Sequence, residues 1–155
     1  MIRYEWGMPY DEFAVRAAPL IQAHWDEVGS HRDILTLNPN HDRYRGAEKM
    51  GIMHLLTAWD GPRMAGYLIA FITAHSRDRE ATLGALNDVI YTVPEYRSRL
   101  VGYRMLQKAL DLMDERKVNI AIFAEKVGRT SPRLMKRLGF EPWEIVYSRI
   151  LRPKG

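Results

Sequence analysis

The sequence predicts an α/β fold in which one mixed sheet carries helices on its faces. Three observations predict it. Strand-like apolar runs and helix-like periodic segments alternate along the chain. Val101–Arg116 places Leu106, Ala109, Leu110 and Met113 at i, i+3, i+4 and i+7, which is one face of a helix. Val118–Ala124 follows as a strand with almost no polar residues, the composition of a strand paired in parallel in a sheet centre after a helical crossover.

The elements follow in order. Ile2–Trp6 is short, apolar and aromatic, and reads as a first strand closed by Gly7-Met8-Pro9. Asp11 can cap a helix whose buried face is Phe13, Ala17, Leu20, Ile21 and His24, with Pro19 kinking or splitting it. From Gly29 to Met50 the pattern is irregular. Asn38-Pro39-Asn40 signals a turn there, and Asp42–Lys49 reads as a short polar helix. Ile52–Trp59 and Arg63–His75 are strands joined by the hairpin signal Asp60-Gly61. Ser76–Thr82 is charged and solvated, and Leu83–Val93 is the next strand, ended by Pro94-Glu95-Tyr96. After the helix Val101–Arg116 and the strand Val118–Ala124, Ser131-Pro132 starts a helix that Gly139 stops. Glu144–Leu151 is the expected last strand.

The chain has 155 residues and shows no repeat, linker or low-complexity tract, so residues 1–155 are expected to form a single domain. With 46% hydrophobic and 27% charged residues it has the composition of a globular protein. It has no cysteine, which excludes disulfides, a thiolate nucleophile and cysteine-ligated zinc. The N-terminus lacks a basic stretch followed by an apolar one, and the apolar run Met64–Ala74 is short of the ~20 residues of a membrane span. A soluble, cytoplasmic protein with no membrane partner is expected. The net charge of +4 suits an anionic ligand, either nucleic acid or a polyphosphate, and suits equally a merely soluble surface.

The chemistry concentrates between Asp88 and Leu106. There a strand ends at Pro94, a basic loop follows, and a helix begins. N–H groups at a helix start lack intrahelical acceptors and sit at the positive end of the dipole, where a diphosphate is favoured. Arg97, Arg99 and Arg104 add positive charge, and Gly102 permits close approach. Read alone, the loop is equally a solvated basic turn.

The run Val93-Pro94-Glu95-Tyr96-Arg97-Ser98-Arg99-Leu100-Val101-Gly102 resembles the cofactor motif of the GNAT acetyltransferases, P-x-Y-R-x-x-G-x-G between a strand and a helix. Pro94, Tyr96, Arg97 and Gly102 match it, whereas Leu100 stands at the first glycine position. Leu134–Phe140 is similar to the family's F-Y-x-K-L-G-F ending, and Met64-Ala65-Gly66-Tyr67 to the start of its third strand. The segment Leu37–Tyr44 also resembles short acyltransferase-like proteins of tailed phages. The resemblance spans roughly residues 1–151. It implies an acyl-CoA N-acyltransferase fold, a central mixed sheet of about six to seven strands flanked by about four helices.

It also implies a site. Acetyl-CoA would be the co-substrate, with no metal. Its pantetheine arm would pair with the backbone of Ile90, Tyr91, Thr92 and Val93, and its pyrophosphate would sit on the N–H groups of Arg97, Ser98, Arg99, Leu100, Val101, Gly102 and Tyr103. The family often forms homodimers. Its frequent general acid is a tyrosine in the last helix, and Met135 occupies that position here.

Three residues remain as candidates for the proton work. Asp88 lies on the cofactor strand before an expected bulge, or is a surface carboxylate. Tyr147 on the last strand could reach the thiolate, or could pack in the core. Glu125, after the fifth strand, could face the cleft, or be a solvated loop charge. His41, Asp42 and Tyr44 fall where the family shapes its acceptor pocket, and His54 and His75 lie on neighbouring strands. The histidine spacing suggests no metal site.

The leading expectation is an N-acetyltransferase acting on a primary amine, of a small molecule or a protein, by direct attack on the thioester. One alternative is a nucleic-acid-binding or phage-type nucleic-acid-modifying protein on the same fold, although the basic residues form no single stripe. Another is a non-catalytic CoA-binding interaction module, suggested by Leu100 and Met135.

Overall fold

A computed structural model of the chain describes residues 1–74 and 83–152. The strand β1 (Ile2–Trp6) leads to helices α1 (Tyr10–Arg16), α2 (Ala18–Val28) and α3 (His41–Lys49). Strands β2 (Met53–Asp60), β3 (Arg63–Ala74) and β4 (Leu83–Thr92) follow. The chain closes with α4 (Pro94–Arg97), α5 (Val101–Glu115), β5 (Ile120–Ile122) and α6 (Pro132–Arg137). His75 and the stretch Ser76–Thr82 lie outside the described residues.

The strands form one sheet in the order β1-β2-β3-β4-β5. The first four are antiparallel neighbours, and β5 joins β4 in parallel, Gly84 opposite Ile120 and Leu86 opposite Ile122. This is the expected mixed α/β architecture. Pro19 does not merely kink the first helix. It starts a second one at its N1/N2 position, after Ala17. That split and the short turn α4 raise the described helices to six.

The expected strand Glu144–Leu151 is not formed. Residues 141–149 are all exposed and pair with no strand among the described residues. The sheet therefore has five described strands, fewer than the six to seven expected. Alternating apolar residues make a segment able to pair, but pairing needs a partner edge in reach.

The two faces of the sheet bury different helices. Val101, Met105, Leu106, Ala109 and Met113 of α5 pack on Leu56, Leu68, Ala70 and Ala85. Each such Val, Leu or Met contributes about 1.5–3 kcal/mol on burial. Helices α1 and α3 cover the other face, where Tyr10, Phe13, Ala17 and Ala47 meet Leu55, Tyr67, Ile69 and Phe71. Gly66 lets β3, β4 and α5 come together, because a Cβ there would lie 2.6 Å from the Tyr91 carbonyl oxygen and 3.0 Å from Met105 Cε.

Candidate active site

The site grows from an irregularity in β4. Opposite β3, Ile69 pairs with Val89 and Ala70 pairs with Asn87, so Asp88 is the extra residue of a β-bulge. The bulge was expected just after Asp88, and it falls on Asp88 itself. Tyr44 of α3 donates its hydroxyl to Asp88 Oδ2 at 2.6 Å. Burial pushes the Tyr44 phenol well above its ordinary value, and the bond to Asp88 adds to the shift. Tyr44 is held by stacking on Tyr10, with ring centroids 5.0 Å apart, and Tyr10 shares a 2.9 Å hydrogen bond with His41.

Beyond the bulge β4 has one open edge. Its parallel pairing with β5 ends at Leu86–Ile122, while its antiparallel pairing with β3 continues to Thr92. Asp88–Thr92 therefore face a gap where β4 and β5 part. Ile90, Tyr91, Thr92 and Val93 all border it. Beyond the ladder with β3, Val93 N–H donates to the Ala65 carbonyl at 2.9 Å, and the Thr92 carbonyl accepts Arg97 Nε–H at 3.0 Å.

The basic loop lies at the end of this gap. Leu100 adopts φ 59 and ψ 24, the left-handed conformation that glycine takes without strain, and it sits at the N-cap position of α5. The backbone that the motif's first glycine would provide is thus present with a leucine side chain, and that side chain is exposed. The first α5 bond runs from Arg104 N–H to the Leu100 carbonyl, so Val101, Gly102 and Tyr103 have no carbonyl one turn back to accept their N–H groups. A Cβ on Gly102 would come within 3.0 Å of Thr92 Oγ1, so glycine seats α5 against β4.

The loop arginines are held by carboxylates. Arg97 donates from Nη1 and Nη2 to Glu27 Oε1 and Oε2 of α2 at 2.8 and 2.6 Å. Arg99 donates to Asp60 Oδ2 at 3.1 Å, and its guanidinium lies over the Tyr96 ring. Arg129, from the loop after β5, reaches Glu27 Oε1 at 3.3 Å. Lys126 donates to the Val28 carbonyl and to Ser30 Oγ. The Arg97 bond holds the Glu27 carboxyl below its usual range.

One turn before Glu27, His24 stacks on Tyr91 at 4.8 Å and shares a 2.9 Å hydrogen bond with the Tyr67 hydroxyl. Burial, then the nearby Lys126 charge, lowers its pKa to about 4. His24 is therefore neutral at pH 7.

Of the expected proton-transfer residues, Asp88 alone borders the gap with its side chain held there. Glu125 accepts the Ser131 N–H through both oxygens, at 2.8 and 3.0 Å, and so ties its carboxylate to the residue that precedes α6. Tyr147 is 87% exposed in the segment that forms no strand, and no described fold element carries it to Asp88. Met135 packs against the α5 core. His54 lies on β2, where burial lowers its pKa, and Asp42 pairs with Arg45. Among the described residues no group of three or more His, Asp or Glu could hold a metal ion, and no helix is long and apolar enough to cross a membrane.

Sequence reasoning missed Glu27. It lies 70 positions from Arg97, and nothing local marks it. His24 was legible only as a buried face residue of a helix.

The sequence profile of the Acetyltransferase (GNAT) family matches residues 18–140. Comparison with curated protein sequences gives no match. Among solved structures, the fold is similar to a predicted acetyltransferase with acetyl-CoA from Clostridium acetobutylicum, with a TM-score of 0.74, 13% identity and 97% of each chain covered. It is similar to glucosamine-6-phosphate N-acetyltransferase from Arabidopsis thaliana, with a TM-score of 0.73, 10% identity, and 98% of this chain and 99% of that one covered. It is also similar to an aminoglycoside acetyltransferase from an uncultured soil metagenomic sample, with a TM-score of 0.70, 10% identity and 97% of each chain covered.

Proposed function

The chain belongs to the acetyltransferase (GNAT) family, and on that premise we propose that it moves an acetyl group from acetyl-CoA to a primary amine by direct attack, with Asp88 as the general base. The observation that carries this reading is the carboxylate on the β4 bulge, beside an open strand edge that runs into the free N–H groups of α5.

Acetyl-CoA supplies the activated acyl group: the amine nitrogen bonds to the carbonyl carbon, the C–S bond breaks, and the sulfur leaves as a thiolate that takes a proton from solvent to give the free thiol. The residues present fit such a co-substrate. The open edge of Ile90–Thr92 offers backbone groups to an extended amide-bearing arm. Val101, Gly102 and Tyr103 present N–H groups at the positive end of a helix of 15 residues, and Arg97, Arg99 and Ser98 surround them. Asp88 is placed to take the proton that the nitrogen must lose, with Tyr44 fixing the carboxylate's orientation. The chain has no cysteine, which favours one-step attack over a thioester enzyme intermediate.

The structural neighbours include enzymes named for sugar-amine and aminoglycoside acetylation, so amino sugars head the acceptor panel. The test follows free thiol released from acetyl-CoA with amino sugars, aminoglycosides, polyamines and peptides in turn. Acceptor-dependent release that Asp88→Asn abolishes supports the assignment. Equal turnover by Asp88→Asn contradicts Asp88 as the base.

A further inference from the structure

Beside the carboxylate on the β4 bulge stands a cation that the chain leaves without a carboxylate of its own. Arg43 precedes Tyr44 on α3, and its guanidinium lies 5.6 Å from the centroid of the Phe71 ring. Tyr44 stacks on the same ring, with centroids 6.2 Å apart, and its hydroxyl holds Asp88 at 2.6 Å. Phe71 is therefore the shared floor under Arg43 and under the phenol that fixes Asp88. The charges are near enough to act on one another. Burial raises the Tyr44 pKa, the bond to Asp88 adds to the rise, and the Arg43 cation opposes it.

The neighbouring polar groups of α3 are occupied. Arg45 donates to Asp11 at 2.8 Å and to Asp42 at 3.1 Å. Glu48 accepts the Tyr10 N–H at 2.7 Å, and His41 shares its bond with the Tyr10 hydroxyl. The arginines at the other end of β4 are paired as well, Arg97 with Glu27, Arg99 with Asp60 and Arg63 with Glu95. Arg43 gives its backbone N–H to Asn40 Oδ1, but its exposed guanidinium pairs with no carboxylate among the described residues.

An aromatic ring holds a guanidinium through its quadrupole without using the N–H fork. The fork of Arg43 is thus positioned and unspent. Its geometry suits a planar carboxylate or a phosphate, which it can take in two parallel bonds.

We propose that Arg43 selects the acceptor: the amine goes to Asp88, and an anionic group on the same molecule, a carboxylate or a phosphate, goes to the Arg43 guanidinium. This rests on the reading of Asp88 as the base that meets the amine. It narrows the acceptor to an amine that also carries an anion, such as an amino acid or a phosphorylated amino sugar. Polycations are disfavoured. A polyamine or an aminoglycoside brings further ammonium groups toward Arg43, where like charges repel and no carboxylate of the chain offsets them.

Ligand-observed NMR, which detects weak binding, tests this on the full-length protein with and without coenzyme A. The probes are glucosamine 6-phosphate against glucosamine, 4-aminobutyrate against butylamine, and spermidine. The anion-bearing member of at least one pair should bind at least about tenfold more tightly than its neutral partner, the margin of a charge-assisted contact. The pair with the larger margin tells phosphate from carboxylate. Arg43→Gln should erase the margin and leave the neutral amine's affinity unchanged, and Arg43→Lys should restore part of it. Equal binding within both pairs, a margin that survives Arg43→Gln, tightest binding of spermidine, or no binding of any probe to the folded protein overturns the inference. No acyl group moves in these measurements, so their failure leaves the proposed activity standing. Selective binding without turnover contradicts that activity and leaves the role of Arg43 in place.

Discussion

Arg97 and Glu27 face each other end-on, with both guanidinium Nη groups on both carboxylate oxygens at 2.8 and 2.6 Å. Two donors that would serve an incoming pyrophosphate are thus occupied by the chain's own carboxylate. Glu27→Gln removes the competing charge and leaves the helix in place. Acetyl-CoA should bind about two- to fivefold more tightly to this variant, consistent with the ≲1 kcal/mol typical of exposed ion pairs. Arg97→Ala should weaken binding. Calorimetric titration of the three proteins checks both directions.

The Tyr44–Asp88 bond separates orientation from chemistry. Asp88→Asn removes the proton acceptor, and kcat should fall about 10²–10⁴-fold, the usual range for general-base loss. Tyr44→Phe keeps the ring stack on Tyr10 and loses only the hydroxyl. Its kcat should fall by a smaller factor, while the KM for acetyl-CoA stays unchanged. A shift in that KM as large as the shift in kcat would show that Tyr44 supports the cofactor side instead.

His24 sets a pH dependence of stability. Its folded pKa of about 4 lies below the unfolded 6.5. Between these values the unfolded chain holds more protons than the folded one, so stability rises with pH across that window. The His24 contribution is complete above pH 6.5 and is lost as pH falls toward 4. Melting temperatures should climb from pH 4 to pH 6.5, and His24→Phe should flatten that part of the profile. Glu27, whose carboxyl is also lowered, loses its contribution at more acid pH, while His54, lowered by burial, adds a slope of the same sign below pH 6.5 that His24→Phe leaves in place.

Leu100 holds a left-handed backbone at φ 59. A β-branched residue tolerates that region poorly, so Leu100→Val should destabilise the protein by about 1–2 kcal/mol. Leu100→Gly relieves the strain but adds unfolded-chain entropy, two terms of about 1 kcal/mol that oppose each other. Its denaturant midpoint should therefore stay close to that of the wild type.

Much of this was legible in the sequence because it was local. The α5 periodicity, the Asp60-Gly61 hairpin and the break at Pro19 each depend on a few adjacent residues, and each appears in the structure. The parallel pairing of β5 followed from its composition and its place after a helix, but β5 is the end strand among the described residues and not the sheet centre that its composition suggested. The candidate site was legible as far as the loop and Asp88. The Glu27 partner was not, because an ion pair between α2 and the loop is a property of the packed fold. Nor was the bond from the Ser131 N–H to Glu125. The last strand was misjudged: Glu144–Leu151 has a strand's pattern, but it pairs with no strand among the described residues.

The central claim is that the β4 edge and the α5 N-terminus form an acyl-CoA site. Calorimetric titration of the wild-type protein with acetyl-CoA tests it most directly. Saturable binding of one acetyl-CoA per chain, weakened by Arg97→Ala, is the predicted result. No detectable heat of binding at millimolar acetyl-CoA, from a protein shown to be folded, would contradict it.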